Sequence, residues 1–205
     1  MKLFITGIGT DVGKTVVSAI ITEALEADYW KPIQAGDLNF SDTHKVKSQI
    51  SNNKSQFHPN SYALKTPASP HFAAALDEIK IDLKKINEPK TSNHLVIEGA
   101  GGVLVPINEK EYIIDIIQKD YKIIMVSRHY LGSINHTLLT FEALKSRGIY
   151  LSGIIFSGDE NKATEEIILN TTKAKFIGRI DNEPYFDANV ISYYADKLRD
   201  NLLSL

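Results

Sequence analysis

Residues Phe4–Leu25, "FITGIGTDVGKTVVSAIITEAL", decide the fold. The apolar run Leu3–Ile5 leads into Gly7-Ile8-Gly9-Thr10-Asp11-Val12-Gly13-Lys14-Thr15, and apolar residues with helical spacing follow over Lys14–Glu26. Strand, glycine-rich turn, Gly-Lys-Thr and helix is the layout of a phosphate-binding loop. Glycines let backbone N–H groups curl around phosphate oxygens, and the positive end of the next helix faces the same anion. Lys14 is placed to reach the β- and γ-phosphates, and the Thr15 hydroxyl to take Mg²⁺. Four residues usually separate the first glycine from Gly-Lys-Thr. Here Ile8 holds that place and Gly7 comes one residue earlier.

Short apolar runs recur at Tyr29–Ile33, Leu95–Ile97, Ile123–Val126, Ile154–Phe156 and Phe176–Ile180. Helical patterns separate or follow them at Phe72–Ile86, Ile113–Lys119, Ser133–Lys145, Ala163–Asn170 and Val190–Leu203. Strands that are apolar throughout, alternating with helices, predict an α/β fold: one domain over residues 1–205, with a mostly parallel central sheet and helices on both faces. Ligands of such sheets sit outside the carboxyl ends of the strands. The polar stretch Ser48–Pro70 reads as an extended loop region.

With 205 residues, of which 43% are hydrophobic and 23% charged, the chain can bury a sizeable core without crosslinks. It has no cysteine, which excludes a disulfide framework, a thiolate nucleophile and Cys-ligated metal. The net charge of −2, with both signs mixed, speaks against nucleic acid as a partner. No apolar run has membrane-spanning length, and "MKLFITG" lacks the pattern of a secretory signal, so the expected location is cytoplasmic.

Further candidates follow the predicted strands. In "LVIEGAGG", Glu98 ends a buried strand and Gly99-Ala100-Gly101 lets backbone approach a ligand, which favours Glu98 as a Mg²⁺ ligand. On their own, Asp42 in "NFSDTHK" reads as a helix N-cap and Lys31 in "YWKPIQAG" as a solvated lysine. In "LGSINHT", Gly132 precedes Ser133, a good N-cap; the free N–H groups there suit a carboxylate, or equally an ordinary capped helix. His71 and His136 lie near helix starts where capping or packing suffices, and Trp30 reads as core.

Taken in order, "TGIGTDVGKT", "KPIQAG", Ser41-Asp42, "SPH" at Ser69–His71, "VIEGAGG" and "LGSINH" resemble the dethiobiotin synthetases of biotin biosynthesis. The ordered set runs from residue 6 to residue 136, and beyond Leu151 the match is one of pattern. The resemblance implies a phosphate-loop NTPase-like three-layer fold. It also implies an enzyme that converts 7,8-diaminononanoate, CO₂ and ATP into dethiobiotin, ADP and phosphate with Mg²⁺. It assigns the metal to Thr15, Asp42 and Glu98, and the phosphates and a substrate carbamate to Lys14 and Lys31. Thr10, Asp11, Val12, Gly13 and Val16 would surround the nucleotide, with Gly99, Ala100 and Gly101 nearby. Gly132, Ser133 and Asn135 would bind the substrate carboxylate across a homodimer interface.

Several positions depart from that pattern. Ala35 stands where many relatives carry a substrate-binding Ser or Thr, and a methyl group donates no hydrogen bond. Ser157 and Gly158 replace the Asn that reads adenine, and Asp181, after Ile180, replaces a proline beside the base. Tyr130 replaces a basic residue, with Arg128 and His129 close by. These departures predict a weaker grip on the base than on the triphosphate. The rival reading is a nucleotide-switched ATPase of the partitioning and cell-division type. Such proteins carry an additional lysine early in the loop, and Gly7–Gly13 has none.

Overall fold

The computed structural model describes residues 1–205. Its chain order is β1 (Lys2–Gly7), α1 (Lys14–Leu25), β2 (Asp28–Trp30), β3 (Ile33–Ala35), α2 (Asp42–Gln49), β4 (Phe57–His58), β5 (Tyr62–Leu64), α3 (Pro70–Leu76) and β6 (Leu95–Gly102). There follow β7 (Tyr121–Arg128), α4 (Ser133–Ser146), β8 (Leu151–Ser157), α5 (Lys162–Thr172), β9 (Lys175–Ile180) and α6 (Ala188–Leu203). Seven strands form one sheet in the order β4-β2-β6-β1-β7-β8-β9, with parallel pairing throughout.

The strands are apolar on both sides because both faces are covered. On one face, Leu3, Ile5, Val96, Ile124 and Ile155 pack with the buried sides of α1 and α6. On the other, Phe4, Ile97, Met125 and Phe156 pack with residues of α3, α4 and α5. The result is the expected three-layer α/β architecture. Between Ile5 and Gly7 the regular pairing of β1 with β6 shifts, and the phosphate loop leaves the sheet at that point.

Four expectations need correction. The run Tyr29–Ile33 is two strands, because Pro32 has no N–H to continue a ladder. Lys31-Pro32 therefore turns the chain out of the main sheet, and β3 pairs with β5 in a separate two-stranded sheet. The polar stretch Ser48–Pro70 contains β4 and β5, of two and three residues, too short to show a period of their own. The helix expected over Phe72–Ile86 stops at Leu76. Glu78 takes a left-handed φ of 55° and the Ile79 N–H bonds back to the Ala74 carbonyl at 2.8 Å. Over Ile113–Lys119 the chain makes only a 3₁₀ turn, Ile113–Ile116, whose β-branched side chains serve as core.

The start of β2, which carries Lys31 into the site, is fastened by one buried carboxylate. Asp28 accepts from the Gln56 N–H (3.0 Å), Thr91 Oγ1 (2.7 Å) and Asn93 Nδ2 (3.1 Å). Burial alone would raise its pKa, and these hydrogen bonds together hold it below the usual carboxylate range.

At the far side, Leu198 of α6 lies directly on Gly178 of β9, where any Cβ would collide with it. Leu198 is 1% exposed. Leu198→Ala is expected to lower stability by about 2–5 kcal/mol, as a cavity between helix and sheet would, in urea denaturation followed by circular dichroism.

Candidate active site

The carboxyl ends of β1, β2 and β6 converge on an open cleft of about 710 Å³. One wall is the loop from Thr10 with Asp11, Gly13, Lys14, Thr15 and Val16; the opposite wall carries Lys31, Gln34, Ala35 and Asp42. Glu98, Ala100 and Gly101 form the floor, and Ser69 and Pro70 close one end. Val12 is buried beneath the loop, and Gly99 lies in β6 over Phe4.

The loop's glycines answer to space. A Cβ at Gly7 would fall 2.5 Å from Val12 Cγ2 and 3.2 Å from Lys14 Cδ, so the strand's exit admits no side chain. Gly13, the residue before α1, takes φ 96°, a left-handed conformation that suits glycine. It aims Lys14 and Thr15, the first two residues of the helix, into the cleft. Lys14 Nζ donates to the Gly9 carbonyl at 2.7 Å, back across the loop.

At the floor, one carboxylate collects three partners. Glu98, 1% exposed, accepts at Oε1 from Thr15 Oγ1 (3.0 Å) and Lys31 Nζ (2.8 Å), and at Oε2 from the Tyr29 hydroxyl (2.8 Å). Lys31 Nζ also lies 2.7 Å from Asp42 Oδ2. Burial pushes the Lys31 ammonium's pKa down, but Glu98 and Asp42 outweigh it and hold it above its ordinary value. Burial would raise the Asp42 carboxyl, and the ammonium groups of Lys31 and Lys45 hold it low instead. For Lys14 the balance falls the other way: burial, with the nearby Lys31 charge, brings its pKa down from 10.5 to about 8 against the pull of Glu98 and Asp42. The isolated readings of Lys31 and Asp42 are thereby corrected. Lys31 is 5% exposed, not solvated, and Ser41 is the N-cap of α2, with Asp42 its first residue.

The donor set fits a Mg²⁺ ion. Glu98 Oε1 and Asp42 Oδ2 are hard oxygen donors on either side of one cation, the Lys31 ammonium, and Thr15 Oγ1 lies beside Glu98 Oε1. Magnesium uses one or two carboxylates and completes its shell with phosphate oxygens and water, so a larger acidic cluster is not required.

Other sequence candidates lie outside this cleft. Gly132 and Asn135 are exposed at the start of α4. The N-cap there is Gly132 at φ 100°, not Ser133; the Ser133 N–H is already given to the Tyr130 carbonyl at 3.0 Å. Ser157 backs onto the loop, its Oγ 3.3 Å from where a Gly13 Cβ would stand. The Gly158 N–H donates to the Ile180 carbonyl at 2.9 Å, and Asp181 Oδ1 accepts from Arg179 Nε at 3.1 Å. His136 is exposed and pairs with the Tyr130 hydroxyl at 2.7 Å, and Trp30 is buried, as expected of a core residue.

Two contributors escaped the sequence reading. Tyr29 is one. Gln34 is another: its amide donates to the Gly36 carbonyl (3.0 Å) and accepts from the Asp42 N–H (3.3 Å). Arg128, noted in the sequence only as a basic neighbour of Tyr130, donates to the Asp11 carbonyl at 2.8 Å and so braces the loop from β7. A basic residue at the end of an apolar strand was the available signal for Arg128. The position of Gln34 inside "KPIQAG" was the signal for that residue.

A family model described as an AAA domain matches residues 1–190. The chain is 62% identical over 202 residues to the ATP-dependent dethiobiotin synthetase BioD of Christiangramia forsetii, covering 98% of each. It is 49% identical to the protein of that name from Cytophaga hutchinsonii, again over 98% of each chain. Among solved structures, the MinD cell division protein of Aquifex aeolicus aligns with a TM-score of 0.61 at 17% identity, over 97% of both chains. A ParA family ATPase from Chlorobium tepidum aligns with a TM-score of 0.58 at 11% identity, covering 94% of this chain and 96% of its own. At those identities the structural likeness shows the fold alone.

The lowered pKa of Lys14 has a signed consequence. The unfolded chain keeps this proton up to about pH 10.5 and the ligand-free folded protein only to about pH 8. The burial penalty is therefore at full size below pH 8 and fades as pH rises towards 10.5, so stability gains over that window. Between pH 7 and pH 10 the metal-free, nucleotide-free protein is expected to gain about 2 kcal/mol relative to Lys14→Met, measured by urea denaturation. An equal pH response in both proteins would contradict it.

Proposed function

The chain belongs to the family of ATP-dependent dethiobiotin synthetases, and from that premise we propose how its cleft performs the reaction. It is a ligase of biotin biosynthesis that joins 7,8-diaminononanoate and CO₂ at the expense of ATP, giving dethiobiotin, ADP and phosphate. The observation that carries the assignment of roles is the buried Lys31 ammonium. It is held between Glu98 and Asp42 in the same cleft as Lys14 and Thr15.

One amine of the substrate and CO₂ form a carbamate, whose anion is a poor electrophile. A carbamate oxygen attacks the γ-phosphorus, ADP departs, and the oxygen becomes part of a phosphate leaving group. The second amine then attacks the carbamate carbon, closing the ureido ring and expelling phosphate. No step needs a covalent protein nucleophile. The protein must align carbamate and γ-phosphate and offset the charge that spreads between them.

In this scheme Lys14 holds the β- and γ-phosphates within the loop Thr10–Val16, and Lys31 faces the carbamate and the transferring phosphoryl group. Thr15, Asp42 and Glu98 would hold Mg²⁺, which supplies positive charge to the phosphate oxygens when bound. Ala35 offers no hydroxyl, and the uncharged polar side chain on that wall is the Gln34 amide, held between Gly36 and Asp42. It takes the place of a residue-35 hydroxyl in shaping the substrate end of the cleft.

We place Gly132, Ser133 and Asn135 at the substrate carboxylate of a second copy's cleft, in a homodimer. Their separation from the cleft within one chain supports this. So does the apolar surface beside them, with Leu131 fully exposed and Tyr130, Ile134 and Leu139 also exposed. Ser157, Gly158, Ile180 and Asp181 are assigned to the base, with looser selectivity than the phosphate site. The need for ATP supports a cytoplasmic location.

Purified protein given 7,8-diaminononanoate, bicarbonate, Mg²⁺ and ATP is expected to yield dethiobiotin by mass spectrometry, and more than one nucleoside triphosphate is expected to support it. Lys14→Ala and Glu98→Ala are each expected to fold and to lose turnover by about a hundredfold or more, the scale for removing preorganised charge stabilisation. Triphosphate hydrolysis without dethiobiotin, or wild-type turnover in either variant, would overturn the scheme.

A further inference from the structure

We propose that Tyr29 is a positioning residue for Glu98, tying one carboxylate oxygen inside the protein so that the other alone serves the Mg²⁺–nucleotide complex. The inference rests on the reading of Glu98 as a metal ligand and deepens it.

The geometry divides the two oxygens of Glu98. Oε1 receives both groups that line the cleft, Thr15 Oγ1 at 3.0 Å and Lys31 Nζ at 2.8 Å. Oε2 receives only the Tyr29 hydroxyl, at 2.8 Å. Tyr29 does not line the cleft. It is fully buried in β2, in register with Val96 two residues before Glu98, and its ring packs against Phe57 at 5.9 Å among the core residues beneath α1. The phenol thus reaches the carboxylate from the core side of the sheet.

This arrangement has a consequence for the carboxylate's freedom. A buried carboxylate oxygen without a donor is costly, and a free carboxylate relieves that cost by rotating about its last torsion. With Tyr29 in place, rotation breaks a charge-assisted hydrogen bond, so Oε1 stays on the Thr15–Lys31 side. Partners of this kind hold a metal ligand's orientation, and their removal typically weakens metal binding or activity by about 10–100-fold. The strand itself cannot drift, because Asp28 anchors its start to Gln56, Thr91 and Asn93.

The test uses the whole protein and three variants, with ADP and Mg²⁺ as probes. Tyr29→Phe keeps the ring and removes the hydroxyl. Phe57→Leu loosens the packing around Tyr29 and leaves the hydroxyl in place. Glu98→Gln tests the reading on which the proposal rests. Thermal unfolding is followed without ligand, with ADP in chelator, and with ADP plus Mg²⁺; the Mg²⁺ concentration for half-maximal turnover is measured alongside.

For Tyr29→Phe, the expected result is an unchanged gain from ADP in chelator, a diminished extra gain from Mg²⁺, and a Mg²⁺ half-saturation raised about tenfold, with a smaller change in kcat. Phe57→Leu is expected to lower the unfolding temperature with the Mg²⁺ response intact. A shift of less than about twofold in Tyr29→Phe, or an equal shift in Phe57→Leu, would overturn the positioning role. A full Mg²⁺ response in Glu98→Gln would overturn the metal-ligand reading together with it.

Discussion

The site depends on one buried carboxylate. Glu98 sits at the end of an apolar strand, 1% exposed, where an unpaired charge would be intolerable. Its compensation comes from three residues on two elements: Thr15 from α1, and Tyr29 within and Lys31 just after β2. Satisfying that charge brings the phosphate loop, the second lysine and, through Lys31, Asp42 of α2 to one place. The requirement that a buried charge be paired is what assembles the cleft. Removing Lys31 would leave both Glu98 and Asp42 without their ammonium partner.

The fold supplies the rest by placing strand ends. Parallel strands that are buried on both faces can present polar groups only where they stop, and β1, β2 and β6 stop side by side. Pro32 is the device that ends β2. By interrupting the ladder it turns Lys31 out of the sheet into the cleft and sends the following residues into the small β3–β5 sheet that forms one wall. The same parallel architecture occurs in the partitioning and cell-division ATPases, so the sheet alone does not choose the chemistry. In this chain a second buried lysine, Lys31, stands across the cleft from Lys14.

Much of this was legible in the residues, and the reasons for success and failure are physical. The phosphate loop could be read because strand, turn and helix are consecutive and each has its own periodicity. Glu98 stood out as a charge closing an apolar run. Lys31 and Asp42 looked ordinary alone; only the ordered set of motifs singled them out, since their pairing spans separate elements. Tyr29 was hidden because a tyrosine in a buried strand looks like core, and its partner is 69 residues away. The helix ends were misjudged where backbone conformation overrode side-chain pattern, at the left-handed Glu78 and at Gly132, which caps α4 in place of Ser133. Strands of two or three residues, such as β4 and β5, carry no period to read. The motifs read from the sequence stop at residue 136, whereas the likeness to the dethiobiotin synthetases runs through the last third as well, at 62% identity over 202 residues; the base-end residues of that third, Ser157, Gly158, Ile180 and Asp181, lie outside the cleft that the earlier motifs line.

The central claim is that this cleft couples ATP cleavage to ring closure and does not spend ATP as a switch. Its most direct test is the stoichiometry of ADP and dethiobiotin released in one reaction, measured with and without 7,8-diaminononanoate. The account predicts one ADP for each dethiobiotin and negligible ADP when the diamine is omitted. ADP release at the same rate without the diamine would contradict it and return the protein to the nucleotide-switched ATPases whose fold it shares.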